Sequence, residues 1–182
     1  MHQVVIFGSR ETLVRGENDL LELDGNLLTD HSLQSTLNRV NPWQDDSRAR
    51  PGKSMARTYR VAIIGCGSIA RAHGAAWQRV PRARIVAAAD IAAGAHSAFA
   101  SQFDVDTTYH DYQEMLATEQ PDVVSICTWH TQHCEMVMAA AQAGARGILC
   151  EKPLAISLGE ADRMLAACHA AGSLLVVGHQ RR

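Results

Sequence analysis

The stretch Tyr59-Arg-Val-Ala-Ile-Ile-Gly65-Cys66-Gly67-Ser68-Ile69-Ala70 most narrows what this chain can fold into. An apolar run leads straight into two glycines, and helical spacing begins directly after them. Residues 59–65 are expected to form a buried strand. Residues 68–80 are expected to form a helix with Ile69, Ala72, Ala76 and Val80 on its inward face. In such a joint the first glycine allows the tight turn. The second lets a pyrophosphate approach the backbone, and the third position, here Ala70, must be small for helix and strand to pack. Phosphates would meet the free N–H groups of the helix start, around Ser68 and Ile69. Asp90 ends the next strand-like run, 20 residues beyond Ala70 (90 − 70). A carboxylate there can accept hydrogen bonds from both ribose hydroxyls of an adenosine and repels a 2′-phosphate. The cofactor expected is therefore NAD rather than NADP. A methyltransferase-type loop would prefer a glycine at Ile69.

The rest of the chain repeats the alternation. Strand-like runs at 83–90, 122–128, 146–153 and 173–179 are separated by helix-like runs at 95–103, 111–117, 132–144 and 157–172. Gly144 and Gly172 close two of those helices, and Ser157-x-x-Glu160 is a capping box. The central strands are apolar throughout instead of alternating. This is the pattern of an α/β fold: a Rossmann doubly wound parallel sheet with helices on both faces. Residues 41–56, with two prolines and many charges, read as a linker. Residues 1–40 read as an N-terminal extension with short strands in 3–28, an Asp24-Gly25 hairpin signal, or no fold. Those strands are not expected to join the main sheet. The Rossmann domain is thus expected over 57–182.

Composition excludes several classes of partner. Net charge is −2, so no field attracts nucleic acid or an anionic membrane. No apolar stretch reaches the roughly 18 residues that a membrane helix needs, and the N-terminus lacks a secretory pattern. Five cysteines without a Cys-x-x-Cys argue against a disulfide framework or zinc knuckle and fit a reducing, cytoplasmic setting. Met136, Met138 and Met164 read as helix packing.

Three further motifs stand in order after the glycine loop. "PDVVSICTWHTQH" covers 121–133, "AAAQAGARGILCEKPLAISLGEADRML" covers 139–165, and "LLVVGHQRR" covers 174–182. With these, residues 57–182 resemble the N-terminal domain of the Gfo/Idh/MocA oxidoreductases, which include glucose–fructose oxidoreductase and inositol dehydrogenase. The resemblance implies hydride transfer between a nicotinamide cofactor and a sugar, polyol or related hydroxy compound. It places Thr128, His130, His133, Glu151 and Lys152 on the cofactor side. One departure is local: the family's Thr-Pro-Asn is Thr128-Trp129-His130 here, so the asparagine contact is not carried over.

Glu151-Lys152-Pro153 makes chemical sense at the C-terminal end of a central strand, where open α/β sheets hold ligands. Lys152 can neutralise or hydrogen-bond a substrate oxygen beside the nicotinamide and is the catalytic candidate. Glu151 could orient the lysine or touch the nicotinamide ribose. Pro153 stiffens the turn, and in the family the bond before it is often cis. His130 and His133, with Cys134 beside them, have metal-like spacing but lack a third convergent ligand, so no metal is expected. His179 and Arg182 point toward substrate or solvent. The resemblance further implies a second domain after Arg182 that closes the substrate pocket and mediates homo-oligomerisation. The chain is accordingly expected to be a truncated form. The alternatives are a non-catalytic NAD-binding module or a misassembled gene fragment, and residues of the N-terminal extension resemble late strands of that second domain.

Overall fold

A computed structural model describes the strand backbones at 4–7, 12–16 and 19–20 and all of residues 58–178. The linker reading, the Asp24-Gly25 turn, His179 and Arg182 lie outside the described residues.

Residues 58–178 alternate strand and helix. Strand β4 (Tyr59–Ile64) leads to helix α1 (Ser68–Trp77), and β5 (Ala83–Ala89) to α2 (Ala93–Phe103). Then come β6 (Thr107–Tyr109), α3 (Tyr112–Glu119) and β7 (Val123–Ile126). A single 3₁₀ turn (His130–Gln132) enters α4 (His133–Gln142). Strand β8 (Gly147–Glu151), α5 (Leu158–Ala171) and β9 (Leu174–Gly178) complete the series. These six strands pair in parallel in the order β9-β8-β7-β4-β5-β6. Counted from β4 as the first, this is the 3-2-1-4-5-6 order of the Rossmann fold.

Both sheet faces are covered, so β4 is apolar on both sides. Val61 and Ile63 face one core with Phe99 and Phe103 of α2; Ala62 and Ile64 face another with Met115, Val137 and Met164. Period-2 alternation thus divides one continuous apolar run between two cores. Full burial of each isoleucine contributes about 1.5–3 kcal/mol.

Caps set several helix ends. Asp111 accepts from the Gln113 N–H at 2.8 Å ahead of α3, and Ser157 Oγ accepts from the Glu160 N–H at 3.2 Å ahead of α5. Glu160 reaches back to the Ile156 N–H, one residue before the expected partner. Gly172 closes α5 at φ +69°. All five cysteines are free and buried. Met136 and Met164 pack in the core, with Met138 partly buried against it.

Three expectations need correction. The buried face of α1 is Ala70, His73 and Gly74, with Ala72, Ala76 and Val80 exposed, and the helix ends at Trp77. Ala70 lets the helix sit close to the sheet, Gly74 leaves room for the Phe103 ring of α2, and His73 is buried because it has polar partners, given below. Strand β6 was not expected: it has three residues, two of them threonine, and no apolar run to betray it. Finally, the extension does meet the main sheet. Strand β1 (Val4–Phe7) pairs in parallel with β9, β2 (Thr12–Gly16) is antiparallel to β1, and β3 (Asp19–Leu20) to β2. An edge strand such as β9 presents a row of unpaired N–H and C=O groups that any further strand can satisfy.

Candidate cofactor and reaction site

Sheet order fixes where a ligand can lie. The chain leaves β4 for β5 on one side and later fills β7 on the other, so a crevice opens at the carboxyl ends of β4 and β7. A cleft of about 710 Å³ occupies that place.

Gly65 makes the turn out of β4. It sits at φ +85°, and its N–H donates to the Ala89 carbonyl at 2.8 Å. A Cβ there would lie 2.8 Å from Thr128 Cγ2 and 2.9 Å from the Cys127 carbonyl carbon. The position therefore requires glycine both for its dihedral and for the close passage of the β7 exit. Gly67 differs. It is the N-cap of α1, has no side-chain cap bond, and a Cβ there would meet nothing within 4 Å. This open space borders the cleft, and the first N–H groups of α1 lie unprotected by any cap. Ser68 and Ile69 line the cleft beside it. Ala70 does not; it is fully buried and packs helix against sheet.

Asp90, at the exit of β5, lines the cleft as well. Its Oδ2 accepts from the Cys66 N–H at 2.8 Å and its Oδ1 from the Ala92 N–H at 2.8 Å. Both oxygens are fixed by the backbone, and each retains a lone pair for another donor. The same carboxylate acts on Cys66: burial, then the Asp90 charge, pushes that thiol up to about 12. Cys127 is likewise held well above the usual thiol range, by burial and then by Glu151. Neither thiol is a nucleophile at neutral pH.

At the β7 and β8 exits, Thr128, His130, Glu151 and Lys152 also line the cleft. The Lys152–Pro153 bond is cis. Lys152 is exposed, while Glu151 is only 5% exposed. Glu151 Oε2 accepts from the Lys152 N–H at 3.2 Å. His133 stands behind the wall instead of lining it. It is fully buried, with Nδ1 at 2.9 Å from the Pro153 carbonyl and Nε2 at 3.2 Å from the Thr128 carbonyl. It lies between the two exits, with a ring nitrogen within hydrogen-bond distance of each and an N–H for at least one of them. Among the described residues no group of three His, Cys, Asp or Glu side chains could hold a metal ion, and no helix is long and apolar enough to cross a membrane.

Reading the sequence overlooked His73, which meets Glu151, and Ser125 and Trp77, which continue the line of bonds behind it. A signal was available for Lys152: the chain has only two lysines, Lys53 and Lys152, against fifteen arginines. A chain that meets nearly all its surface charge with arginine, yet places a lysine in this cleft, has a compact ammonium where a rigid guanidinium fork would not serve.

Comparison with known proteins agrees with this geometry. Residues 59–179 match the Gfo/Idh/MocA family model, described as an oxidoreductase family with an NAD-binding Rossmann fold. The chain belongs to the Gfo/Idh/MocA family. D-apiose dehydrogenase of Paraburkholderia graminis is 40% identical over 121 residues, spanning 66% of this chain and 32% of that protein. The WlbA dehydrogenase of Bordetella pertussis, solved with NADH and UDP-GlcNAcA, superposes with a TM-score of 0.63 at 30% identity, covering 66% of this chain and 37% of that one. Myo-inositol 2-dehydrogenase of Lactobacillus plantarum gives a TM-score of 0.63 at 28% identity, covering 67% and 36%. The chain thus spans about a third of the length of the relatives it matches. The family model describes an NAD-binding Rossmann fold, and the residues lining the cleft between β4 and β7 fit that cofactor. The Gly67 position leaves room at the uncapped α1 start, and Asp90 is held beside the glycine loop with acceptor capacity to spare.

Proposed function

We propose that this chain supplies the cofactor-binding half of an NAD-dependent dehydrogenase acting on a sugar, a polyol or a related hydroxy compound. Relatives named for D-apiose, myo-inositol and D-glucoside support the substrate class. NAD is preferred over NADP because Asp90 puts a backbone-fixed carboxylate where a 2′-phosphate would sit. The α1 N–H groups hold the pyrophosphate, and Asp90 accepts from the adenosine ribose. When bound, NAD supplies hydride acceptance or donation. Lys152 hydrogen-bonds the substrate oxygen and stabilises negative charge there as a C–H bond is broken or made. Glu151 orients the Lys152 backbone.

The observation that carries this reading is Lys152 itself, the one lysine of the described residues, standing exposed at the mouth of the cleft that the glycine loop opens. The residues that shape a substrate pocket, supply a second acid/base and form an oligomer are assigned to the part of the relatives beyond the third matched here. Residues 59–179 by themselves are accordingly proposed to bind NAD and turn nothing over. The test grafts residues 59–178 into D-apiose dehydrogenase in place of its own matched segment and follows NAD reduction with apiose. Lys152→Ala in that chimera should lower kcat by about 10²-fold or more, with NAD affinity within about threefold. A parental kcat for Lys152→Ala would reduce Lys152 to a surface charge.

A further inference from the structure

Behind the cleft wall, and reaching it at Glu151, four side chains from three elements form a single hydrogen-bonded line, three of them buried and Trp77 partly so. Trp77 Nε1 on α1 donates to Ser125 Oγ on β7 at 2.8 Å. Ser125 Oγ lies 3.4 Å from His73 Nδ1, and His73 Nε2 lies 3.0 Å from Glu151 Oε1 on β8. Ser125 is 0%, His73 7% and Glu151 5% exposed. The donor inventory sets one direction throughout. An indole N–H only donates, so Ser125 Oγ accepts from it and spends its own proton on His73 Nδ1. A carboxylate only accepts, so the imidazole proton sits on Nε2 and goes to Glu151. The other oxygen of Glu151 accepts the backbone N–H of Lys152.

We propose that His73 is a positioning residue for Lys152: it fixes the Glu151 carboxylate, which in turn holds the backbone from which Lys152 reaches the cleft. The assignment rests on the reading of Lys152 given above. The physical case is that a buried carboxylate held by one backbone bond, at 3.2 Å, can rotate about its terminal torsions, and the lysine backbone can follow it. A second bond to the other oxygen, from a ring that is itself clamped by Ser125, removes that freedom. The line also joins the two ends of the site. His73 and Trp77 ride on α1, the helix whose first turn borders the cleft at Gly67, so the helix at the phosphate end and the reaction end are held by one set of bonds. Ser125 is the shared middle: it is the one polar residue of β7, and β7 lies between β4 and β8.

The experiment uses the fact that the chain has two lysines. Reductive methylation with carbon-13 formaldehyde labels Lys53, Lys152 and the N-terminal amine, and Lys152→Arg assigns the resonance. In the parent, saturating NAD is expected to move the Lys152 resonance. In His73→Leu the resonance should shift before NAD is added and should lose at least about half of its response, while NADH affinity stays within about threefold. His73→Gln, which keeps a donor toward Glu151 and an acceptor toward Ser125, should restore the parental signal. A merely structural staple would lower the melting temperature of His73→Leu and leave the Lys152 signal parental; that result overturns the proposal. Should His73→Leu not fold, Ser125→Ala removes the next link and is judged by the same criterion. A parental Lys152 resonance that ignores NAD while NADH binds would instead sink the reading of Lys152, and this inference with it.

Discussion

Two glycines separated by one residue should fail in opposite ways. An alanine at Gly65 would have to adopt φ +85°, a left-handed conformation that costs a non-glycine residue about 1–2 kcal/mol. Its Cβ would lie 2.8–2.9 Å from Thr128 Cγ2 and from the carbonyl carbon and oxygen of Cys127. Two of those atoms are backbone of a buried β7 exit and cannot rotate aside, so overpacking adds about 1–3 kcal/mol. The sum, about 2–5 kcal/mol, is a large fraction of the 5–15 kcal/mol that roughly holds a domain together, and it corresponds to a melting point lower by about 5–20 °C. Gly67 has an ordinary φ of −73° and open space where a Cβ would go. Alanine there changes only the N-cap and costs at most about 1 kcal/mol, but its methyl enters the room left for the pyrophosphate. Thermal melts by circular dichroism without ligand, and NADH fluorescence titrations, separate the two. Gly65→Ala should melt early; Gly67→Ala should melt near the parent and bind NADH poorly, and Gly67→Val should abolish binding. A Gly65→Ala protein as stable as the parent, or a Gly67→Val protein that binds NADH normally, would refute the division of labour.

Asp90→Asn should weaken NADH binding by about 10–100-fold, the worth of charge-assisted hydrogen bonds, and narrow the gap to NADPH; tighter binding of NADPH than NADH by the parent would end the Asp90 assignment. Alkaline pH should destabilise the fold through its buried thiols. Unfolded cysteine titrates near 9.0, whereas burial holds Cys168 up to about 11, and burial with Asp90 holds Cys66 up to about 12. Between those values the unfolded chain has released protons that the folded one keeps, so this contribution is fully present below about pH 9 and is lost as pH climbs toward 11–12. Urea midpoints that stay flat across that window would contradict it, and Cys168→Ala should flatten part of the slope. His133→Phe should free the two exits it joins: deuterium uptake should quicken at 128–130 and 151–156 and nowhere else in the sheet, and unchanged uptake would show that the histidine is passive filling.

What the sequence made legible was whatever local spacing determines. The Gly65-x-Gly67-x-x-Ala70 spacing, the position of Asp90 at a strand end, and the capping residues Ser157 and Glu160 each depend on neighbours within a turn, and each stands where expected. The strand alternation was legible because both faces of β4 are buried, which leaves an uninterrupted apolar run. Strand β6 was hidden because three residues of Thr-Thr-Tyr carry no run and gain their place by pairing with β5. The inward face of α1 was misread for a related reason. Apolar periodicity counts Ala72 and Ala76 as core and a histidine as surface, but Ala70 packs against the sheet, Gly74 leaves room for the Phe103 ring, and His73 is buried, with Trp77 partly so, because polar partners wait for them.

Those partners could not be read from spacing, because they lie 48, 52 and 78 residues away along the chain. The same distance explains how His133 was taken for a cofactor contact. Its position after the β7 exit is right for one, yet its ring points at two backbone carbonyls, one of them 20 residues on. In this domain the residues that line the cleft stand mostly at strand ends and on the first turn of α1, where the local chain announces them. The residues behind that lining, His73 against Glu151 and His133 against Pro153, are buried histidines beside exits which only the parallel sheet brings together. A buried histidine with carboxylate or carbonyl partners on two different strand exits is thus the feature to look for when the reactive side chain itself is exposed and free to move, as Lys152 is. Its rigidity has to come from the backbone beneath it, and the backbone at a strand exit has no ladder of its own to hold it.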